Sequence, residues 1–366
     1  MIPRRSSFAL IAGAAVAALA GCVTLPDRVA FELRAPAEHE QHLFGGDAAH
    51  ATAHAQPKRE QRPFDASVFP LAHGQIIVSE TGGAMSLFYS LFAVDYAPWV
   101  HAGVVAIESG EAVIYDATGT FFPIPGFAPT ATVTGAVRRV SVERFARGKR
   151  IVGLYALPPS ADRERLVAFA REHYRRGTPF DSYFDTDDAT ALYCTELVAL
   201  ALKAAGVAAI EPTPIRDNAS LTAARDWLRL RSRSVYLAGN LIGAANEVAR
   251  WSADLSPPQI DAYFALKQEL HRRFDAGARL GHLFQWSGSA LRLRASVRTL
   301  VDSVLASAVE PGLDAHAAPV HIDRSAARHL DAERRGAEPA VGLPRPGARS
   351  SDEAGGHASG SGVPHK

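Results

Sequence analysis

The chain contains two cysteines, and the second of them, Cys194, has the sequence context of a nucleophile. An acidic, turn-prone loop precedes it, and a helical pattern begins at or beside it. The positive end of a helix dipole lowers the pKa of a thiol, and the first backbone N–H groups can stabilise a developing oxyanion. The sequence therefore predicts that one helical turn supplies both a nucleophile and an oxyanion donor.

A nucleophilic thiol needs a base, and His101 is the candidate. It stands early in an apolar run that predicts a central strand. An imidazole in such a strand needs a polar partner that fixes its tautomer, and Asp116, near the end of the next predicted strand, could accept its N–H. The expected roles are nucleophile for Cys194, general base for His101 and orienting carboxylate for Asp116. The alternative is structural: a small core cysteine, a hydrogen-bonded strand histidine and a turn aspartate.

The surrounding patterns predict an α+β scaffold with an antiparallel sheet and packed helices. Short apolar runs predict strands over residues 76–78, 100–107, 112–116, 135–142 and 150–156, the second and third joined by a short glycine-containing loop. Amphipathic patterns predict helices over residues 84–94, 160–176 and 194–205. Two longer patterns, over residues 255–283 and 287–309, predict an additional layer of helices.

Five short motifs occur in the order found in a known family: residues 74–79, 101–105, 113–117, 180–184 and 193–198. They resemble the YiiX/YebB-like branch of the NlpC/P60 superfamily, which is related to lecithin:retinol acyltransferase. The resemblance covers residues 70–230 and implies a circularly permuted papain-like fold, in which the histidine strand precedes the cysteine helix. It implies the same three roles for Cys194, His101 and Asp116. Gln75 and Thr195 stand where relatives commonly have Asp and Ser.

The first residues resemble a bacterial lipoprotein signal. Two arginines are followed by an apolar or small-residue stretch over residues 8–19 and then by Leu19-Ala20-Gly21-Cys22. The resemblance implies that residues 1–21 are removed and that Cys22 is acylated, and the valine after it favours the outer membrane, facing the periplasm. A plain secretory signal or an uncleaved anchor is the alternative. An acylated Cys22 would leave Cys194 without an intramolecular disulfide partner in an oxidising compartment.

Composition shifts along the chain predict its organisation. The expected parts are a signal peptide over residues 1–21, a flexible tether over 22–66, a permuted NlpC/P60-like catalytic domain over 67–234, a helical extension over 235–310 and a disordered tail over 311–366.

The composition also argues against several classes of function. The 39 basic and 38 acidic residues give a net charge of +1, which does not favour nucleic-acid binding. After the N-terminus no apolar run approaches the roughly 20 residues that span a bilayer, so membrane attachment is expected only through the first segment. No phosphate loop, dinucleotide fingerprint or metal-ligand spacing is evident, and we expect no cofactor and no metal.

Together these patterns predict a thiol hydrolase that cleaves amide bonds through a Cys-His-Asp triad and an acyl-thioester intermediate. Peptidoglycan stem peptides and N-acyl or lipid-linked amides are the expected substrates. The alternatives are a lipid acyltransferase or thioesterase of the same fold, and a non-catalytic envelope lipoprotein with a papain-like binding shell. If the chain is a non-catalytic binding protein, Cys194 should be unreactive and His101 should not reach it.

Overall fold

The computed structural model of the chain describes residues 62–119, 135–188, 190–208, 210–228, 230–274, 279–287, 290–308, 322 and 326–328. Within them the predicted α+β class is confirmed. The strands, in chain order, are β1 (Ile76–Glu80), β2 (His101–Glu108), β3 (Glu111–Gly119), β4 (Gly135–Ser141), β5 (Ile151–Ala156), β6 (Thr213–Pro214), β7 (Ser234–Val235), β8 (Asn246–Ser252), β9 (Phe284–Ser287) and β10 (Ala290–Leu293). Six of them form one antiparallel sheet in the order β4-β3-β2-β1-β5-β8.

Helices lie before, between and after these strands. They are α1 (Gly83–Phe92), α2 (Val142–Ala146), α3 (Arg163–Arg176), α4 (Cys194–Ala204), α5 (Ala219–Leu228), α6 (Ala238–Leu241), α7 (Pro257–Arg273) and α8 (Ala295–Ser307). The helix predicted to begin at Cys194 does so, and it ends at Ala204, just before the positive-φ Gly206. The predicted β2–β3 hairpin also forms, and its turn residues Ser109 and Gly110 both have positive φ, the backbone geometry that suits a tight hairpin.

The two faces of the sheet bury different sets of apolar residues. Alternate residues of β2, such as Val104, pack with helices α3 and α4 on one face. Val105 lies on the opposite face with Ile77, Ile114 and Phe145 of the short helix α2. Because both faces are covered, the central strands are fully buried, and any polar side chain on them needs a specific partner.

The segment over residues 235–310 is less purely helical than the sequence indicates. Strand β8 pairs with β5 and so completes the six-stranded sheet. The two long predicted helices are shorter, and the β9–β10 hairpin lies between them. The physical reason is visible in the sequence: Gly277, Gly281 and Gly288 interrupt helical propensity, and Phe284 and Trp286 follow the two-residue period of a strand.

A buried ion pair joins this segment to the first strand. Lys267 of α7 donates from Nζ to Glu80 Oε2, to Ser86 Oγ and to the Pro98 carbonyl, each at 2.9 Å. Glu80 Oε1 accepts from Tyr263 at 3.1 Å and also from Ser86. Burial lowers the pKa of Lys267, and the carboxylate of Glu80 opposes that effect. The C-terminal segment is therefore part of the folded core.

Several predictions fall at the ends of the chain. The signal peptide over residues 1–21, Cys22 and most of the tether lie outside the described residues. Ile322 and Ala326, inside the tail predicted to be disordered over residues 311–366, are buried in the cluster that contains α1 and α8. Apart from residues 322 and 326–328, that tail lies outside the described residues, so its disorder stays a prediction. Within the described part of the chain, no helix is both long and apolar enough to cross a bilayer.

Candidate active site

The predicted site residues lie at one edge of the sheet. Antiparallel pairing brings the end of β1 and the start of β2 to this edge, where Ser79 is paired with His101. Asp116, near the end of β3, is paired with Arg138, near the start of β4. Helix α4 packs on β2 and β3 and begins at Cys194. The fold thus brings together the three residues that the sequence singled out.

Asp116 holds one side of the His101 ring. The two side chains are buried, and His101 Nε2 lies 2.8 Å from Asp116 Oδ2. Arg138, on the next strand, binds the same carboxylate with two hydrogen bonds. It donates from Nε to Oδ1 at 2.7 Å and from Nη2 to Oδ2 at 2.9 Å. Burial raises the pKa of Asp116, but Arg138 and His101 outweigh it and hold that pKa well below its usual range. Asp116 is therefore an ionised acceptor that fixes the ring.

Cys194 interacts with the same imidazole. Its side chain is partly exposed, and it raises the pKa of His101 through charge and hydrogen bonding. Because Nε2 is engaged by Asp116, Nδ1 is the nitrogen that serves the thiol. Burial and the nearby charge of Lys149 lower the pKa of His101, while Cys194 and Asp116 raise it, and the net value is about 9. The imidazole is held in the form that pairs with a thiolate.

The ring of Phe145 fixes the orientation of His101 from one face. The two rings are stacked, with centroids 5.3 Å apart and planes 27° from parallel. Phe145 belongs to α2, whose first turn is capped by Ser141, which accepts from the Arg144 N–H at 3.2 Å. His101 is thus restrained by a hydrogen bond at one nitrogen and by an aromatic neighbour across its plane.

The start of helix α4 is anchored by residues from the C-terminal half of the chain. The Tyr236 N–H donates to the Tyr193 hydroxyl at 2.9 Å, and Thr195 donates from Oγ1 to the Tyr236 carbonyl at 2.7 Å. Thr195, which departs from the family pattern, therefore supports the helix start. Gln75, the other departure, also has local partners, since it accepts from the Ala72 N–H at 2.7 Å and donates to the Pro70 carbonyl at 3.2 Å.

Glu196 is a buried carboxyl group beside the thiol. It is the third residue of α4, and the backbone N–H of Tyr193, the residue that precedes the helix, acts to lower its pKa. Its Oε2 is buried and has no hydrogen-bond partner among the described residues. Burial, helped by the charges of Asp181, Asp185 and Asp188, raises the pKa of Glu196 to about 8 against the opposing Tyr193 N–H.

We expect Glu196→Gln to change the pH dependence of stability. A pKa raised from 4.5 means that the native state favours the protonated carboxyl, so its contribution to stability is complete below pH 4.5 and is lost as pH rises through 8. We expect the free energy of unfolding of the native chain, measured in urea, to fall between pH 5 and pH 9. The fall should exceed that of Glu196→Gln by about 2 kcal/mol or more. The exposed Glu111→Gln is the control. If the free energy of unfolding depended on pH in the same way for the native chain and Glu196→Gln, burial would not be raising the pKa of Glu196.

Sequence reasoning missed Arg138, Phe145 and Lys149. The pairing of Asp116 with Arg138 depends on the register between β3 and β4, which the intervening residues 120–134 hide from pattern analysis. Phe145 and Lys149 come from a short helix and a turn with no motif of their own. Across the described ranges, no group of three or more His, Cys, Asp or Glu side chains is placed to hold a metal ion.

Comparisons with known proteins show a distant structural similarity. No protein-family model matches the chain, and no curated protein matches it. Among solved structures, it is similar to the metalloprotein YiiX from Escherichia coli O157:H7, with a TM-score of 0.39 and 16% sequence identity over 50% of this chain and 99% of that one. At this level of similarity we base the function on the chain's own side chains.

Proposed function

We propose that this chain is a cysteine hydrolase that cleaves amide bonds through an acyl-thioester on Cys194. One observation carries the proposal: Cys194, at the start of α4, acts on the buried His101 and raises its pKa, while His101 Nε2 lies 2.8 Å from the ionised Asp116. Nucleophile, base and orienting carboxylate are the three parts that activated thiol hydrolysis requires.

In the first step, the Cys194 thiolate attacks the substrate carbonyl carbon and the carbonyl electron pair moves to oxygen. Backbone N–H groups in the first turn of α4 stabilise that oxyanion. When the tetrahedral intermediate collapses, the C–N bond breaks and His101 Nδ1 gives its proton to the leaving nitrogen. The products are a free amine and an acyl group bound to Cys194 Sγ.

In the second step, water resolves the thioester. His101, now neutral, takes a proton from water through Nδ1 while the hydroxide equivalent attacks the acyl carbon. The C–S bond then breaks, the carboxylic acid leaves and the thiolate is restored. Throughout the cycle Asp116 accepts from Nε2–H, and its bond to Arg138 keeps it ionised, so that it stabilises each cationic state of His101.

The substrate class rests on the sequence patterns. A circularly permuted papain-like fold of the NlpC/P60 type and a lipidated Cys22 in the outer membrane would place the thiol in the periplasm, beside peptidoglycan stem peptides. N-acyl or lipid-linked amides are the second class of substrate that this chemistry suits. The non-catalytic binding shell is less favoured, because it predicts a His101 that does not reach Cys194.

The proposal is tested by trapping the acyl group. The full chain is mixed with p-nitrophenyl acetate, quenched in acid and digested, and the peptide containing Cys194 is examined by mass spectrometry. We expect an acetyl group on Cys194 at pH 7 that hydroxylamine removes. Its formation should be slower by about 100-fold in His101→Ala, in line with the usual contribution of a general base. Cys194→Ala is the control, and equal acetylation with and without His101 would contradict the proposal.

A further inference from the structure

The first turn of α4 carries backbone donors that the surrounding protein does not use. Tyr193 is the residue at the N-terminal cap, and its side chain accepts no hydrogen bond from that turn. No described residue accepts from the N–H of Cys194 or of Thr195. Helices α2 and α3 differ, because the side chains of Ser141 and Asp162 cap their first turns. The donors that would bind the substrate oxyanion are therefore open at α4.

A helix start without a side-chain cap needs another source of order, because uncapped first turns fray. In α4 two bonds to the backbone of Tyr236 supply it. The Tyr193 hydroxyl accepts from the Tyr236 N–H at 2.9 Å, and Thr195 donates from Oγ1 to the Tyr236 carbonyl at 2.7 Å. The residues on both sides of Cys194 are thus bound to one residue that lies 43 and 41 positions away from them along the chain.

Tyr236 is itself held on both sides. It follows β7, which pairs with β6, and it precedes α6, whose Ala238 and Leu241 are buried in the core. The bonds to α4 are also shielded from water, since Tyr193 is fully buried and Thr195 is only 6% exposed. Water does not compete for these groups, so each hydrogen bond fixes the position of the helix start.

We propose that Thr195 and Tyr193 are positioning residues, which hold the first turn of α4 to Tyr236 so that the N–H groups of Cys194 and Thr195 point at the oxyanion. This inference rests on the proposed hydrolase function and adds two residues to the Cys-His-Asp triad. Neither side chain takes part in proton transfer. Both act through the backbone of Tyr236, which takes the place of a side-chain cap and leaves the first-turn donors free for the substrate.

The experiment compares two reactions of Cys194 that differ in whether an oxyanion forms. With p-nitrophenyl acetate, the sulfur bonds to the carbonyl carbon, an oxyanion forms, and p-nitrophenolate then leaves. With iodoacetamide, the sulfur displaces iodide from a methylene carbon, and no oxyanion forms. Initial rates of both reactions are measured on the full chain at pH 7, after quenching in acid, from the mass of the peptide that contains Cys194. The ratio of the acetylation rate to the alkylation rate reports oxyanion stabilisation, because both reactions need the same thiolate.

We expect Thr195→Val to lower this ratio by about tenfold or more, because valine keeps the shape of threonine but lacks the hydroxyl that binds the Tyr236 carbonyl. Thr195→Ser keeps the hydroxyl and should retain the native ratio. Tyr193→Phe should also lower the ratio, since it removes the acceptor of the Tyr236 N–H. Its control is Tyr155→Phe, which removes another buried tyrosine hydroxyl, one that donates to Glu247 of β8, and which should leave the ratio unchanged.

A double variant tests whether the two residues act through Tyr236 together. If they do, Thr195→Val combined with Tyr193→Phe should lower the ratio by less than the product of the two single effects. A fall equal to the full product would show independent actions and would overturn the shared role.

The possible failures are distinguishable. An unchanged ratio in a folded Thr195→Val, whether neither rate falls or both fall equally, overturns the positioning role whatever the reactivity of Cys194. A fall in Thr195→Ser as large as that in Thr195→Val also overturns it, because the hydroxyl would then not matter. Thermal unfolding checks each variant, and Tyr193→Phe decides the question if Thr195→Val does not fold. The proposed hydrolase fails separately, if iodoacetamide reacts slowly with Cys194 and at the same rate in His101→Ala.

Discussion

Lys267→Met should lower the free energy of unfolding by roughly 3–5 kcal/mol, the usual cost of leaving one member of a buried ion pair without its partner. The Glu80 carboxylate is fully buried, and Lys267 is its cationic partner at 2.9 Å. Methionine fills a similar volume but leaves that carboxylate with only neutral donors, among them Tyr263 and Ser86. The change is measured by urea unfolding at pH 7.

A double-mutant cycle separates charge from packing in this prediction. Glu80→Gln keeps the shape and the acceptor oxygen of the side chain, so Glu80→Gln combined with Lys267→Met should recover much of the lost stability. Lys203→Met, at an exposed position on α4, should change stability by no more than about 0.5 kcal/mol. A Lys267→Met variant as stable as the native chain would show that the C-terminal segment does not depend on this pair.

Asp116→Asn should slow the hydrolysis of p-nitrophenyl acetate by about 10²- to 10⁴-fold, the range expected when a triad histidine is held in the wrong tautomer. Arg138 donates two hydrogen bonds to the carboxylate and will orient the asparagine oxygen toward itself. The amide NH₂ then faces His101 Nε2, which must accept, and the ring proton moves to Nδ1. In that state His101 cannot take the thiol proton.

The control for this prediction is Asp217→Asn, a change of the same type at an exposed position. It should hydrolyse the ester at the rate of the native chain. Thermal unfolding of each variant checks that the loss is not caused by unfolding. A folded Asp116→Asn that retains the native rate would mean that Asp116 does not orient His101 during the reaction.

The core of the candidate site could be predicted because its signals are local. Cys194 follows a turn and starts an amphipathic helix, and the glycine-containing loop between β2 and β3 brings the segments of His101 and Asp116 side by side. Each of these positions follows from a pattern over fewer than about 20 residues. The pairing of β2 with β3 then places His101 and Asp116 close together.

The rest depends on contacts between distant parts of the chain, which local patterns do not encode. Arg138 meets Asp116 only through the β3–β4 register, and Lys149 approaches His101 only because β5 runs beside β1. The partner of Glu80 is 187 positions away along the chain. For the same reason the sequence pattern does not reveal β8 within the segment predicted to be helical. The place of β8 in the sheet is set by its pairing with β5.

The most direct test of an activated thiol is the pH dependence of Cys194 alkylation by iodoacetamide in the full chain and in His101→Ala. The proposed catalytic pair predicts a native rate that changes little between pH 6 and pH 8, because His101, whose pKa is raised to about 9, stays an imidazolium over that range. In His101→Ala the rate should rise about tenfold per pH unit over that range, as an ordinary thiol does below its pKa of about 8.5. His101→Gln keeps a side-chain volume closer to that of histidine, and it is the control for loss of packing in His101→Ala. If the native chain already shows the tenfold rise, and both variants follow the same curve, Cys194 and His101 are not a catalytic pair.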